Sequence, residues 1–333
     1  MTGQHRSEFP AHIADSPFQR LAALIAGETP GAKPIDLAVG NPRHPIPPFV
    51  ADTIAANVNG YGDYPTIRGT AAFRASVADW LDGRFTLAGL IAPETGVLPL
   101  NGSREGLYFA TIGADAYLKK PGDRPVVLVP TPGYPAYSVG AFAVGAEIVP
   151  YGAASPHGVM PDWDALGPSL LDRAIAVFVA SPSNPQGAVA SAEYWADLID
   201  LAEKYDFRIF ADECYSEIYR GDPPVGGLEI CAKLGGDLSN VLVLHSLSKR
   251  SSAPGIRVGT VAGDPKLIDA YRTIRSYAGV AVPMPLLKAG EALLRDEDHV
   301  DRNRAHYADL IGMAERHLGN TPGYSNPPRG FYL

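Results

Sequence analysis

Between residues 97 and 263 short runs of branched and aromatic apolar residues recur: LPLNG, PVVLVP, AEIVPY, AIAVFVA, FRIFADE, VLVLHS and VGTVAG. Each is cut off by Gly, Pro, Asn or a charged residue, so each reads as a short strand buried on both faces. The stretches between them carry apolar residues at helical spacing, and strand and helix alternate from about Gly69 to Val280. That alternation predicts an α/β fold with a mostly parallel, doubly wound, seven-stranded sheet, flanked by helices and with ligands at the strand C-termini. Outside it, Pro17 to Ala26 places Phe18, Leu21, Leu24 and Ile25 at helical spacing, Asp36 to Val39 is strand-like, and the Pro-rich residues 42–48 mark a crossing between domains. Lys266 to Tyr277 reads as a long helix and residues 286–318 as helical. The expected organisation is a flexible arm over 1–16, part of a small domain over 17–45, a large ligand-binding domain over 46–280 and the rest of the small domain over 281–333.

Composition narrows the function. A chain of 333 residues with 46% hydrophobic and 19% charged positions suits a two-domain globular enzyme. A net charge of -8, with no basic run, argues against a nucleic-acid surface. No apolar stretch has the length of a membrane span or the form of a signal core. Cys214 and Cys231 are the two cysteines, expected as unpaired thiols, and the chain reads as cytoplasmic. The eight histidines show no metal-ligand spacing, so no metal site is expected.

The candidate chemistry lies where the strand-like runs end. VLVLHS leads into Leu247-Ser248-Lys249, with Arg257 eight residues beyond. A lysine there is ordinarily a solvated charge, but it is also well placed to bond covalently to an aldehyde cofactor, with Ser246 and Arg257 to hold a phosphate. After FRIFA come Asp212 and Tyr215. An aspartate there often caps a helix. It also supplies the anion that keeps the pyridine ring of pyridoxal phosphate protonated, and Tyr215 then reaches the phenolic oxygen of that ring. After AIAVFVA, the turn SPSNPQG offers the Asn184 amide to the same oxygen, where ordinary turn chemistry is the plainer reading. Three such strand ends in the order Asn, Asp/Tyr, Lys/Arg rarely arise together by chance.

On these motifs the chain resembles the class I/II aminotransferases of pyridoxal 5'-phosphate fold type I, from about Pro17 to Leu333. Asn101-Gly102-Ser103-Arg104 is similar to the family's phosphate-binding turn at a helix N-terminus. In TPGYPAY, Tyr134 matches the aromatic that stacks on the ring. Tyr64, in YPTIRG, matches the tyrosine that reaches the phosphate in the partner subunit, so a homodimer is implied. Gly40-Asn41-Pro42 matches the loop over the substrate, which makes Gly40, with Asn184, an expected substrate contact. The resemblance implies that Lys249 holds the cofactor and moves the proton, that Asp212 and Tyr215 support it, and that Gly102, Ser103, Arg104, Ser246 and Arg257 surround the phosphate. NGSREGL, SPSNPQGAV, FADECYSEIYR and HSLSKRSS are most similar to the bacterial N-succinyldiaminopimelate aminotransferase group of lysine biosynthesis, with 2-oxoglutarate as acceptor.

The C-terminus departs from the pattern. The family grips the substrate α-carboxylate with an arginine beyond a G-F-x-L strand, whereas this chain ends at Gly330-Phe331-Tyr332-Leu333. A missing C-terminal piece of the small domain is therefore expected. Arg68, Arg104 and Arg250 are candidates for a distal substrate carboxylate. The alternatives are an aspartate or aromatic aminotransferase, a carbon–sulfur lyase on the same fold, and an aminotransferase-like ligand sensor. The sensor would call for a basic DNA-binding domain. A plain dinucleotide-binding protein lacks its GxGxxG after the first strand.

Overall fold

The computed structural model describes residues 17–37, 39–122, 124–152, 160–326, 329, 330 and 332. The expected arm over 1–16 lies outside them. The chain divides into two units, residues 1–41 and 42–333. In the first, Pro17–Ile25 is a helix, as its spacing predicts. Asp36, Leu37 and Val39 join no strand, and Ala38 lies outside the described residues. That run is too short to hold itself extended without a ladder partner.

In the second unit all seven apolar runs are strands of one sheet: β1 (Val97–Leu100), β2 (Val126–Pro130), β3 (Glu147–Tyr151), β4 (Ala174–Ala180), β5 (Arg208–Asp212), β6 (Val241–Ser246) and β7 (Gly259–Gly263). Their order is β1-β7-β6-β5-β4-β2-β3. β7 runs antiparallel to both its neighbours, and the other pairings are parallel. Every residue of β4, β5, β6 and β7 is buried, which is why these strands read as unbroken apolar runs.

Alternation along the strands sorts side chains into two cores. Ile209, Ala211, Val241 and Val243 enter one, under Trp195, Leu228 and Leu293 of the covering helices. Phe210, Leu242 and Leu244 enter the other, under Leu107, Tyr137 and Tyr271. The helix Ser103–Tyr117 lies close on the second face because residue 106 is glycine: a Cβ there would stand 2.5 Å from Leu100 Cδ1 and 2.7 Å from Leu244 Cδ2.

The expected helix at 266–277 is Pro265–Ala278, capped by the Asp264 carboxylate, which accepts from Lys266 N at 2.8 Å. The helical stretch 286–318 is two helices, Met284–Arg295 and Asp298–Leu318. The break falls where Asp296 Oδ1 accepts from His299 N at 2.9 Å and starts the second helix. Among the described residues no helix is long and apolar enough to cross a membrane, and no cluster of metal-ligating side chains occurs.

Candidate active site

Parallel pairing brings the C-termini of β2, β4, β5 and β6 to one edge of the sheet. β1 ends there too, because β7, which runs the other way, pairs with both it and β6. The candidate residues therefore meet at one edge without any being adjacent in sequence.

Asp212 is the last residue of β5, opposite Ala180 and Leu244. Its buried carboxylate accepts from the Tyr137 hydroxyl at 2.8 Å through Oδ2 and from Cys214 N at 3.3 Å through Oδ1. Burial pushes its pKa up, and the hydrogen bonds it accepts from Cys214 and Tyr137 only partly oppose this. The carboxylate is thus partnered by neutral groups in a site that disfavours a lone negative charge.

Lys249 sits on the short helix Leu247–Arg250 directly after β6. Burial is the main cause holding its pKa below the usual lysine value, with the nearby Cys214 and Asp212 opposing. Its Nζ stands 5.8 Å from the centre of the Tyr215 ring. The Tyr215 hydroxyl is 2.6 Å from the Tyr332 hydroxyl, and burial pushes its pKa far up, so it stays protonated. An amine of lowered pKa beside a buried carboxylate has the makings of a nucleophile and a proton carrier.

A cradle lies at the end of β1. Gly102 takes φ 81°, open to glycine at little cost, and precedes the helix Ser103–Tyr117, whose first amides point outward. Arg257 folds over it, donating to Asn101 O at 3.0 Å and Pro254 O at 2.9 Å. A Cβ on residue 102 would fall 2.0 Å from Arg257 Nη2. Ser246 Oγ faces Ser248 Oγ at 2.9 Å and accepts from Ser248 N at 3.2 Å. Helix amides, a guanidinium and hydroxyls together suit a phosphate.

On the other side, Tyr134 is half-buried after β2, and its hydroxyl accepts from Arg104 Nε at 2.5 Å. Asn184 lies on the turn after β4 and lines a pocket with Tyr151, Ala180 and Gln186. Ser183 Oγ holds that turn by accepting from Ala188 N at 2.9 Å. Of the other expected residues, Tyr64 is fully exposed, as a residue meant for a partner subunit can be, and Gly40 lies in the unit of residues 1–41.

Of the arginines considered for a distal carboxylate, Arg250 is buried and committed to Leu293 O at 2.8 Å and to Glu297. Arg68 pairs with Glu94 at 3.1 Å. Arg104 remains at the site's edge, its guanidinium 5.7 Å from the centre of the Tyr134 ring. Two neighbours of Asp212 were not singled out from the sequence. Cys214 is expected from the sequence only as an unpaired thiol, and nothing in the sequence marks Tyr137, three residues past Tyr134, as a partner for a carboxylate 75 residues on.

The groups fit pyridoxal phosphate. The Gly102–Arg257 cradle, into which a Cβ cannot enter, would hold its phosphate, Asp212 would meet its ring nitrogen, and Lys249 its aldehyde carbon.

Comparison with known proteins agrees. Residues 32–328 match the model of the family described as aminotransferase class I and II. The LL-diaminopimelate aminotransferase of Dehalococcoides mccartyi is 33% identical over 91% of this chain and 77% of its own length. The 4-dedimethylamino-4-oxo-anhydrotetracycline transaminase OxyQ of Streptomyces rimosus is 34% identical over 82% of this chain and 70% of its own. Among solved structures, an aminotransferase from Neisseria meningitidis superposes with a TM-score of 0.88 at 33% identity, covering 97% of this chain and 83% of that one.

Proposed function

The chain belongs to the class I and II aminotransferases, pyridoxal-phosphate enzymes, and from that premise we propose that it carries an amino group between LL-diaminopimelate and 2-oxoglutarate in lysine biosynthesis. The observation that carries the catalytic part is the meeting of Lys249 and Asp212 at neighbouring strand ends, one with its pKa lowered and the other with its pKa raised by burial. When bound, the cofactor supplies an electron sink for the carbanion left by loss of the substrate's α-proton. The chain's own groups do the rest. The Lys249 amine takes the α-proton and returns it on the other side of the transfer. Asp212 presents a negative charge to the ring nitrogen, and Tyr137 fixes that carboxylate. Asn184 and Tyr215 direct an amide and a hydroxyl to the phenolic oxygen. Tyr134 bears on the ring face. Gly102, Ser103, Ser246 and Arg257 would surround the phosphate, with Arg104 at its rim.

The substrate reading rests on the LL-diaminopimelate relatives. The motifs had pointed to the N-succinyl form, while the relatives' names favour the unsubstituted amino acid. Arg104 is the guanidinium left to meet a distal carboxylate. The test is a panel of amino donors with 2-oxoglutarate, reading glutamate formed. LL-diaminopimelate is expected to exceed its N-succinyl derivative and aspartate, with phenylalanine last. Equal or better turnover of phenylalanine overturns the reading, and pyruvate and ammonia without an acceptor would mark a lyase.

The active unit is proposed to be a homodimer. Tyr64, Tyr277 and Val280 are largely exposed, and Val280 O accepts from the Asn101 amide beside the phosphate cradle. Exposed aromatic and aliphatic groups of this kind suit a symmetric partner. An active monomer in sedimentation would rule this out. The division at residues 46 and 280 into large and small domains stands as part of the same proposal.

A further inference from the structure

The turn that carries Lys249 is very short, and a helix of this length cannot satisfy its own last carbonyls. Leu247 O is met locally, by Ser251 N at 3.1 Å and Ala253 N at 3.3 Å. The carbonyls of Lys249 and Arg250 are met from far along the chain. Asn303, on the helix Asp298–Leu318, donates its Nδ2 to Lys249 O at 2.9 Å and to Arg250 O at 3.1 Å. Asn303 is buried, and its Oδ1 has no hydrogen-bond partner among the described residues. Turned the other way, the amide would set that oxygen against two carbonyls, so the orientation is fixed by its neighbours. The same helix reaches the turn a second time, through His299 Nε2 at 2.9 Å from Ser251 Oγ. Its next residue, Arg304, reaches the other catalytic loop, with Nη2 3.0 Å from Glu217 Oε2.

We propose that Asn303 is the positioning residue for Lys249, an inference that rests on Lys249 being the amine that holds the cofactor. The amide acts as a C-terminal cap supplied from another helix. It fixes the backbone from which the lysine side chain projects, and so the distance and angle at which Nζ meets the substrate α-carbon. A loosened turn still binds cofactor and substrate but spends less time in the geometry for proton transfer. The loss falls on kcat and leaves KM nearly as it was.

The experiment uses the holoenzyme and three variants: Asn303→Ala, Asn303→Asp and Ile311→Ala. Ile311 is buried on the same helix two turns further on, and its truncation destabilises the helix without touching the turn. Four quantities are read: melting temperature, the pH midpoint of the visible band of the bound cofactor, kcat and KM. Asn303→Ala is expected to lower kcat about tenfold or more, with KM within about twofold, and to move the pH midpoint. Asn303→Asp, which loses both donors at constant size, is expected to do more. Ile311→Ala is expected to lower only the melting temperature. If Asn303→Ala melts early but keeps the wild-type midpoint and kcat, Asn303 is only a packing residue and the proposal fails. Should the Asn303 variants not fold, amide exchange on the wild-type protein decides. Residues 247–253 must then exchange as slowly as the 298–318 helix, and exchange more than tenfold faster overturns the clamp. Borohydride fixation of the cofactor separates the two readings. A label on another lysine removes both, whereas a label on Lys249 with an unmoved midpoint removes only the role of Asn303.

Discussion

Asp212 and Glu217 are both buried, lie five residues apart, and are partnered in opposite ways. Glu217 pairs with two arginines, Arg84 Nε at 2.7 Å and Arg304 Nη2 at 3.0 Å. Asp212 is met by a phenol and a backbone amide. The first carboxylate is completed by its own chain and serves as a tie between loop and helix. Among the described residues the second makes no ion pair, and in the proposed function a protonated pyridine nitrogen would complete it. Burial of a carboxylate without an ion pair costs stability, and in that reading the cost sits where the ligand would bind.

The strongest test of this contrast is Lys249→Ala. With the amine gone, transamination is expected to fall by about three orders of magnitude or more, because general acid–base catalysis alone contributes about 10²–10⁴-fold. The melting temperature of the cofactor-free protein should barely move, since the lysine supplies chemistry rather than core packing. Near-wild-type activity, or borohydride labelling of another lysine, sinks the assignment.

Asp212→Asn comes next and separates function from stability. Turnover should drop by about two orders of magnitude, a share of barrier equal to about 2.7 kcal/mol, because the ring nitrogen loses its anion. The sign of the pH effect follows from the raised pKa. The folded state binds a proton there more tightly than the unfolded one, so the cofactor-free wild type loses stability as pH rises through the Asp212 titration. Asp212→Asn should flatten that slope and melt higher than the wild type at neutral pH. A variant that melts lower would show that the carboxylate is a structural cap.

Glu217→Ala should show the reverse pattern. It strands two arginines that are mostly buried, and breaking such a pair typically costs about 3–5 kcal/mol. A large fall in melting temperature is expected with and without cofactor alike. If the fall appears only with cofactor bound, Glu217 belongs to the site and the contrast is wrong.

Tyr137→Phe should have the smallest effect. Removing one hydrogen bond to a charged group costs about 1.5–3 kcal/mol at most, so kcat should fall by about ten- to a hundredfold while the ring still packs. Unchanged kinetics would show that Asp212 is held without the phenol.

Much of this was legible in the chain. All seven strands announce themselves as apolar runs because both faces of the sheet are covered, and the candidate site at their ends follows from the rule that open α/β sheets bind ligands there. The break at residues 296–297 was not legible. It contains neither Gly nor Pro, and its signal is an aspartate three residues before His299, which many helices carry internally. Nor was the fate of Arg250, which follows Lys249 in sequence but is turned into the core against Leu293 O.

By itself the sequence determined where the strands fall along the chain and that they are buried, and it nominated the candidate reactive groups, because these depend on local periodicity and on residue type. Only the tertiary structure decided the partners: Tyr137 for Asp212, Asn303 for the carbonyl of Lys249, Arg304 for Glu217. Those pairs are separated by 75, 54 and 87 positions. A hydrogen bond between such distant residues leaves no periodic trace along the chain, since the two ends meet only through the packing of helices on the sheet.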